Sequence, residues 1–161
     1  MSLANFVFTE TTPAAAGTVA SLAAVQNAAS YLPSGVAGPM DEYDAVDVIA
    51  EIQGATGGNL DVYVQTSPDG GINWYDIIHF PQATAASAVK YYQAPISNAT
   101  ATTAPVVVGK NLVPALAANV VVNGAFSDRM RLVFVAGAGT SAGAVVVVRV
   151  VPQRSAVKLG K

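Results

Sequence analysis

The chain has 161 residues, of which 52% are hydrophobic and only 11% charged, with a formal net charge of −2, one histidine and no cysteine. This length suits one domain able to bury a real core, and the charged share is less than half the roughly 25% usual for soluble globular chains. Disulfides, thiolate nucleophiles and Cys-based zinc sites are excluded, the slight negative charge argues against a general nucleic-acid binder, and no apolar run approaches the ~18 residues of a membrane helix.

Residues 1–40 are poor in charge, rich in Ala, Thr, Gly and Pro, and end in the breaker-dense LPSGVAGPM, a composition that reads as an extended N-terminal arm. No Lys or Arg precedes Lys90 and Glu10 lies near the start, so the charged leader of an export signal is not expected. Within 19–29, Leu22, Val25 and Ala29 share a face at helical spacing, yet the Thr- and Ala-rich flanks fit a strand equally well.

From Tyr43 the pattern turns to period two. Val46, Val48, Ala50 and Ile52 alternate with Ala45, Asp47, Ile49 and Glu51, the signature of a strand with one face in a core. After GATGGN, the run Leu60, Val62, Val64 alternates with Asp61, Tyr63, Gln65, and past PDGG a second run covers 73–80. Together these predict a hairpin. Further strands are expected at 89–93, 105–108, 120–122, 131–136 and 144–151, most of them separated by Gly, Pro, Asn or Ser. Eight or so short strands with no helical series after residue 40 define an all-β chain, an antiparallel β-sandwich of jelly-roll-like type occupying 41–152, with 153–161 as a short basic tail. The continuous VVVV run at 145–148 suggests a strand covered on both faces, by the opposite sheet on one side and by a neighbouring subunit or loop on the other.

Charge is distributed unevenly. Nine of ten acids lie at or before Asp76 and six of eight bases at or after Arg129. Either the fold keeps the two halves apart and the subunit is dipolar, or antiparallel strands mix them. Asp41, Glu42 and Asp44, with Asp47, form an acidic cluster whose spacing lacks the Gly and terminal Glu of a calcium loop. Solvation, or pairing of Asp41, Glu42 and Asp44 with Arg129, Arg131 or Arg154 of the same or a neighbouring chain, is the preferred reading, and no metal or other cofactor is expected.

Nothing in the sequence assembles a catalytic residue set. His79 follows Asp76 by three positions, which in a regular strand places them on opposite faces, and no nucleophile elbow is present. The GAGTSAG of 137–143 lacks the Gly-Lys-Ser/Thr ending of a phosphate loop and precedes a strand rather than a helix. Tyr91 and Tyr92 are adjacent, so a strand sends one inward and one outward rather than presenting both to a ligand.

One motif stands out. Residues 67–74, SPDGGINW, resemble the Asp-box pattern S-x-D-x-G-x-x-W, in which the Asp caps backbone N–H groups of a hairpin turn, Gly supplies positive φ and the Trp folds back onto the hairpin. The resemblance implies structural turn roles for Ser67, Asp69, Gly71 and Trp74. Asp boxes occur in several copies in propellers, and this chain has one. The wider stretch GGNLDVYVQTSPDGGINWYDIIHF, with AFSDRMRLVFVAGAGTSAG further on, is similar to small structural proteins of tailed bacteriophages, including capsid decoration or cement proteins. The resemblance implies a non-enzymatic β-sandwich that trimerises on the phage head, binds between subunits of the major capsid protein and extends an N-terminal arm among them, within a virion assembled in the host cytoplasm and without membrane or nucleic-acid partners. Two alternatives stand beside it: a tail- or collar-associated structural protein, and a carbohydrate-binding sandwich for host recognition using Trp74, Tyr75, Tyr91 and Tyr92. The last requires an accessible Trp74.

Overall fold

Period-two alternation places one row of the longer strands from residue 45 onward in a common interior. A computed structural model of the chain describes residues 6–10, 17–20, 24–26, 36–37, 43–54, 59–84, 88–97, 108–124, 127–136 and 145–153. Eleven strands lie among them: β1 (Phe6–Glu10), β2 (Gly17–Ala20), β3 (Ala24–Gln26), β4 (Val36–Ala37), β5 (Ala45–Gln53), β6 (Leu60–Ser67), β7 (Tyr75–His79), β8 (Lys90–Ser97), β9 (Val120–Val121), β10 (Arg129–Ala136) and β11 (Val145–Gln153).

They form two antiparallel sheets, consistent with a β-sandwich. The first is built on the order β11-β5-β8 and the second on β10-β6-β7-β9, with β1 and β3 added beyond β11, and β2 and β4 pairing with β10. Strands remote in sequence are neighbours in both sheets, as Ile49↔Arg149 and Gln65↔Arg131 illustrate. Among the described residues, the acid-bearing β5 and β6 therefore lie directly beside the base-bearing β11 and β10, so the two kinds of charge are interleaved there.

The interior is one apolar layer. Val46, Val48, Ala50 and Ile52 of β5 and Val146, Val148 and Val150 of β11 face Val62 and Val64 of β6 and Met130, Leu132 and Phe134 of β10, all essentially inaccessible. At ~25 cal/mol per Å² of apolar surface removed from water, this layer is the main source of stability. Tyr92 and Phe80 meet at its margin, ring centroids 5.8 Å apart, while Tyr91 is 73% exposed on the opposite face of β8. On the outward row of β11, Val147 and Val151 are half-buried and Arg149 is exposed within the single chain, which leaves the expected cover of that face by a neighbouring subunit untested. The valine run keeps a strand's alternation, and its second face carries only partial cover within the chain.

Of the expected elements, 43–52, 60–66, 73–80, 89–93, 120–122, 131–136 and 144–151 each coincide with a strand, several shifted by a few residues at their ends. Residues 105–107 and 137–143 lie outside the described residues. In 19–29, the described residues 19–20 and 24–26 are strand.

Candidate functional site

The outer face of the second sheet is where the sequence and its chemistry diverge most. Alternation in β6 turns Asp61, Tyr63 and Gln65 away from the core, where solvent is the default destination. Gln65 is nevertheless 0% exposed, and Tyr63, Asp76 and His79 are buried beside it. Two devices produce this.

The first is a β-bulge. β7 pairs with β6 through Tyr63↔His79 and Val64↔Ile78, then shifts register to Gln65↔Asp76. Ile77 is the inserted residue, and it packs into the core together with Ile78. Because a bulge resets alternation, Asp76 and His79 fall on the same face, opposite Gln65 and Tyr63. The regular-strand expectation that they diverge is corrected here: the insertion of one residue supplies the bend.

The second is the segment 108–119, which acts as a strap. It runs along the free edge of β7, where Asp76 N donates to Gly109 O at 2.9 Å and Asn111 N to Trp74 O at 3.0 Å. Asn111 and Leu112 then take left-handed backbone (φ 50° and 65°), and the chain crosses the outer face before β9 rejoins β7 through Val120↔His79. Gly109 lies so close to the sheet that a Cβ there would sit 2.1 Å from Pro114 O and 2.5 Å from Asp76 Oδ2.

Under the strap the polar groups form a chain of hydrogen bonds. Arg131 Nε donates to Gln65 Oε1 (2.7 Å), and Gln65 Nε2 donates to Asp76 Oδ1 (2.6 Å). Arg131 also reaches Asn111 Oδ1 on the strap (3.4 Å) and lies over the Trp74 ring, 4.3 Å from its centroid, a cation–π contact. His79 stacks on Tyr63 with centroids 3.9 Å apart; its Nδ1 lies 2.7 Å from Leu116 O and its Nε2 3.1 Å from Asp61 Oδ1, which Gln82 Nε2 also reaches. Burial raises the Asp76 carboxyl above the ordinary carboxylate value, against the pull of the Gln65 bond, the nearby Leu112 and Leu116 N–H groups and His79. Its Oδ2 is buried without a hydrogen bond of its own. Burial, reinforced by the charges of Asp61 and Asp76, pushes the Tyr63 phenol up to about 12.

At the end of the sheet the Asp-box turn has the geometry its resemblance implies. Asn73 N donates to Asp69 Oδ1 (2.8 Å), Ser67 Oγ donates to the same oxygen (2.8 Å), Gly71 N donates to Ser67 Oγ (2.9 Å), and Trp74 Nε1 returns to Gly71 O (2.8 Å). Gly70 and Gly71 hold φ of 72° and 104°, conformations that residues with a Cβ resist. The Asn73 main-chain and side-chain N–H groups, with Ser67, hold the Asp69 carboxyl down at about 2. Trp74 is 6% exposed, its ring face under Arg131 and its N–H spent on Gly71. That withdraws the residue on which the carbohydrate reading chiefly rested.

The other sequence-derived positions disperse. Asp41, Glu42 and Arg154 lie outside the described residues. Asp44 is half-buried at the entry to β5, its N–H bonded to Gln153 O. Arg129 meets its neighbour Asp128 (3.5 Å), whereas Arg131 is consumed by the strap network. Gln65, Asp61, Asn111 and Gly109 were not singled out by sequence, and only the alternation of β6 hinted at a shared face for the first two. Among the described residues no group of three or more His, Asp or Glu side chains is arranged to hold a metal ion.

No protein-family model, curated protein or solved structure matches this chain. What the fold defines is a class: an all-β chain of two antiparallel sheets, consistent with a sandwich, with a dehydrated polar layer strapped to one outer face.

Proposed function

We propose that the chain is a non-enzymatic structural protein of a tailed-phage virion, and most specifically a trimeric capsid decoration protein that binds between subunits of the shell. The observation that carries this reading is where the ions go. In a chain with only 18 ionisable acids and bases besides His79, Asp76 is buried and the half-buried Asp61, Asp69 and Arg131 are engaged in bonds within the chain, which leaves few of the described charges free to face a partner. Ile72 (79%) and Val113 (75%) stand exposed on the surface. A surface of this kind is suited to burial against neighbours. The jelly-roll-like form and the exchange of an N-terminal arm belong to the same proposal. β1, β2, β3 and β4 all pair at the margins of the two sheets, the positions from which a strand is readily exchanged between copies.

The test is removal of residues 2–30, with solution mass and binding to phage shells measured beside the full chain. The expected result is a trimeric full chain that binds shells, and a truncated chain that folds but attaches at least tenfold more weakly. A monomeric full chain without affinity for shells, or unchanged attachment after truncation, overturns the decoration reading or its arm respectively.

A further inference from the structure

The link from β9 to β10 carries two residues that the rest of the fold leaves untied. β9 lies at the edge of the second sheet with β7 and β6 between it and β10, so no ladder closes the turn that joins them. Val122 N donates to Ile77 O at 2.8 Å on one side of this turn, and Ser127 N donates to Thr66 Oγ1 at 2.8 Å on the other. Between these anchors Asn123 and Gly124 are both exposed, Gly124 with φ of 74°, and neither makes a hydrogen bond within the chain. Asn-Gly occurs once in the 161 residues. We propose that Asn123–Gly124 is a self-modifying site, at which the side-chain amide is lost spontaneously and a carboxylate takes its place, as aspartate or as its β-linked isomer.

The chemistry needs only water. The Gly124 nitrogen, on losing its proton, attacks Asn123 Cγ; the new N–Cγ bond closes a cyclic imide, the Cγ–Nδ2 bond breaks, and the amide nitrogen departs as ammonia with the proton. Water then opens the imide at either carbonyl, one opening giving aspartate and the other routing the main chain through the side chain with an added methylene. Asparagine is chemically labile, and the reaction is fastest where the next residue has no Cβ to crowd its nitrogen and where neither group is committed to a hydrogen bond. The other described asparagines fail one condition or both. Asn73 donates its side-chain amide to Asp69 and precedes Trp74; Asn111 accepts from Arg131 and precedes Leu112; Asn59 precedes Leu60 and Asn119 precedes the branched Val120. The product carboxylate stands at a cleft shared with Ile96, Ser97 and Gln153, whose described lining holds no charged side chain. One added negative charge takes the formal net charge from −2 to −3, a marked change at an uncharged end of the sandwich.

The test is incubation of the full, folded chain at neutral to mildly alkaline pH, followed by peptide mapping. Over days the peptide holding Asn123 is expected to gain about one mass unit and to contain both aspartate and isoaspartate, at a rate that rises with pH because the nucleophile is the deprotonated nitrogen. Since no ladder clamps the turn, the folded chain is expected to react within about tenfold of the rate of the same chain unfolded in urea. Asn111 and Asn119 are expected to react far more slowly in both states. Asn123→Gln is expected to abolish the mass gain, since the longer side chain closes a ring far less readily, and to leave the denaturation midpoint where it was. No mass gain at Asn123, a folded rate more than about a hundredfold below the unfolded one, or equal modification at Asn111 or Asn119 would each overturn the site.

Discussion

Two regions of this molecule are equally dry and are built on opposite rules. Between the sheets, Phe134, Leu132, Val48 and Val148 are shut from water by other apolar side chains, and any of them tolerates its neighbours so long as volume is respected. Beneath the strap, Gln65 and Asp76 are just as inaccessible, yet each depends on a particular donor or acceptor at 2.6–2.7 Å. The difference teaches that apolar burial requires only the right face, whereas polar burial requires a complete set of partners.

Three experiments break or sharpen this contrast. The largest effect is expected from Phe134→Ala, which empties the centre of the apolar layer: a loss of about 3–5 kcal/mol, read as a lower denaturation midpoint, with both sheets unfolding together. Next is Gly109→Ala. The added methyl cannot share space with the Pro114 carbonyl and the Asp76 carboxylate, so the strap must lift; a loss of about 1–3 kcal/mol is expected, with the Asp76, Asn111 and Trp74 resonances shifted and those of Val48 and Val148 unmoved. If Val48 and Val148 shift as much, the two regions are one cooperative unit and the contrast fails. The smallest effect is local and set by acid. The Asp69 carboxyl is held at about 2 against an ordinary 3.8, so its contribution is present above about 4 and is lost as pH falls through 2. Exchange protection of the Asn73 amide is expected to disappear over that window while the strap amides keep a separate course.

Legibility in the sequence divides along the same line. Alternation in 43–52 and 60–66 specified which residues enter the core, because a strand leaves no other choice of face. The turn at 67–74 was legible because Ser, Asp, Gly and Trp each carry a separate geometric role there. The polar layer was not. Asp76 and His79 read as divergent until one inserted residue realigned them, and the burial of Gln65 depends on residues more than 40 positions later arriving as a cover. No local pattern announces that a loop will lie on a sheet face; only Gly109, placed where no side chain fits, marks the approach, and in sequence it is one of 14 glycines.

The insertion of Ile77 gives β7 a parity that the rest of the strand inherits. Upstream of it the even-numbered Asp76 points outward, and downstream the odd-numbered His79 does, with Phe80 thereby sent inward. Loss of that single codon would leave Asp76, Ile78, His79 and Phe80 in regular alternation on their present faces, at the cost of one apolar side chain in the core, whereas ironing the bulge flat at constant length would bury the imidazole and turn the phenyl ring outward. The faces of this strand therefore depend on the irregularity being kept where it is, and not on the length of the segment alone.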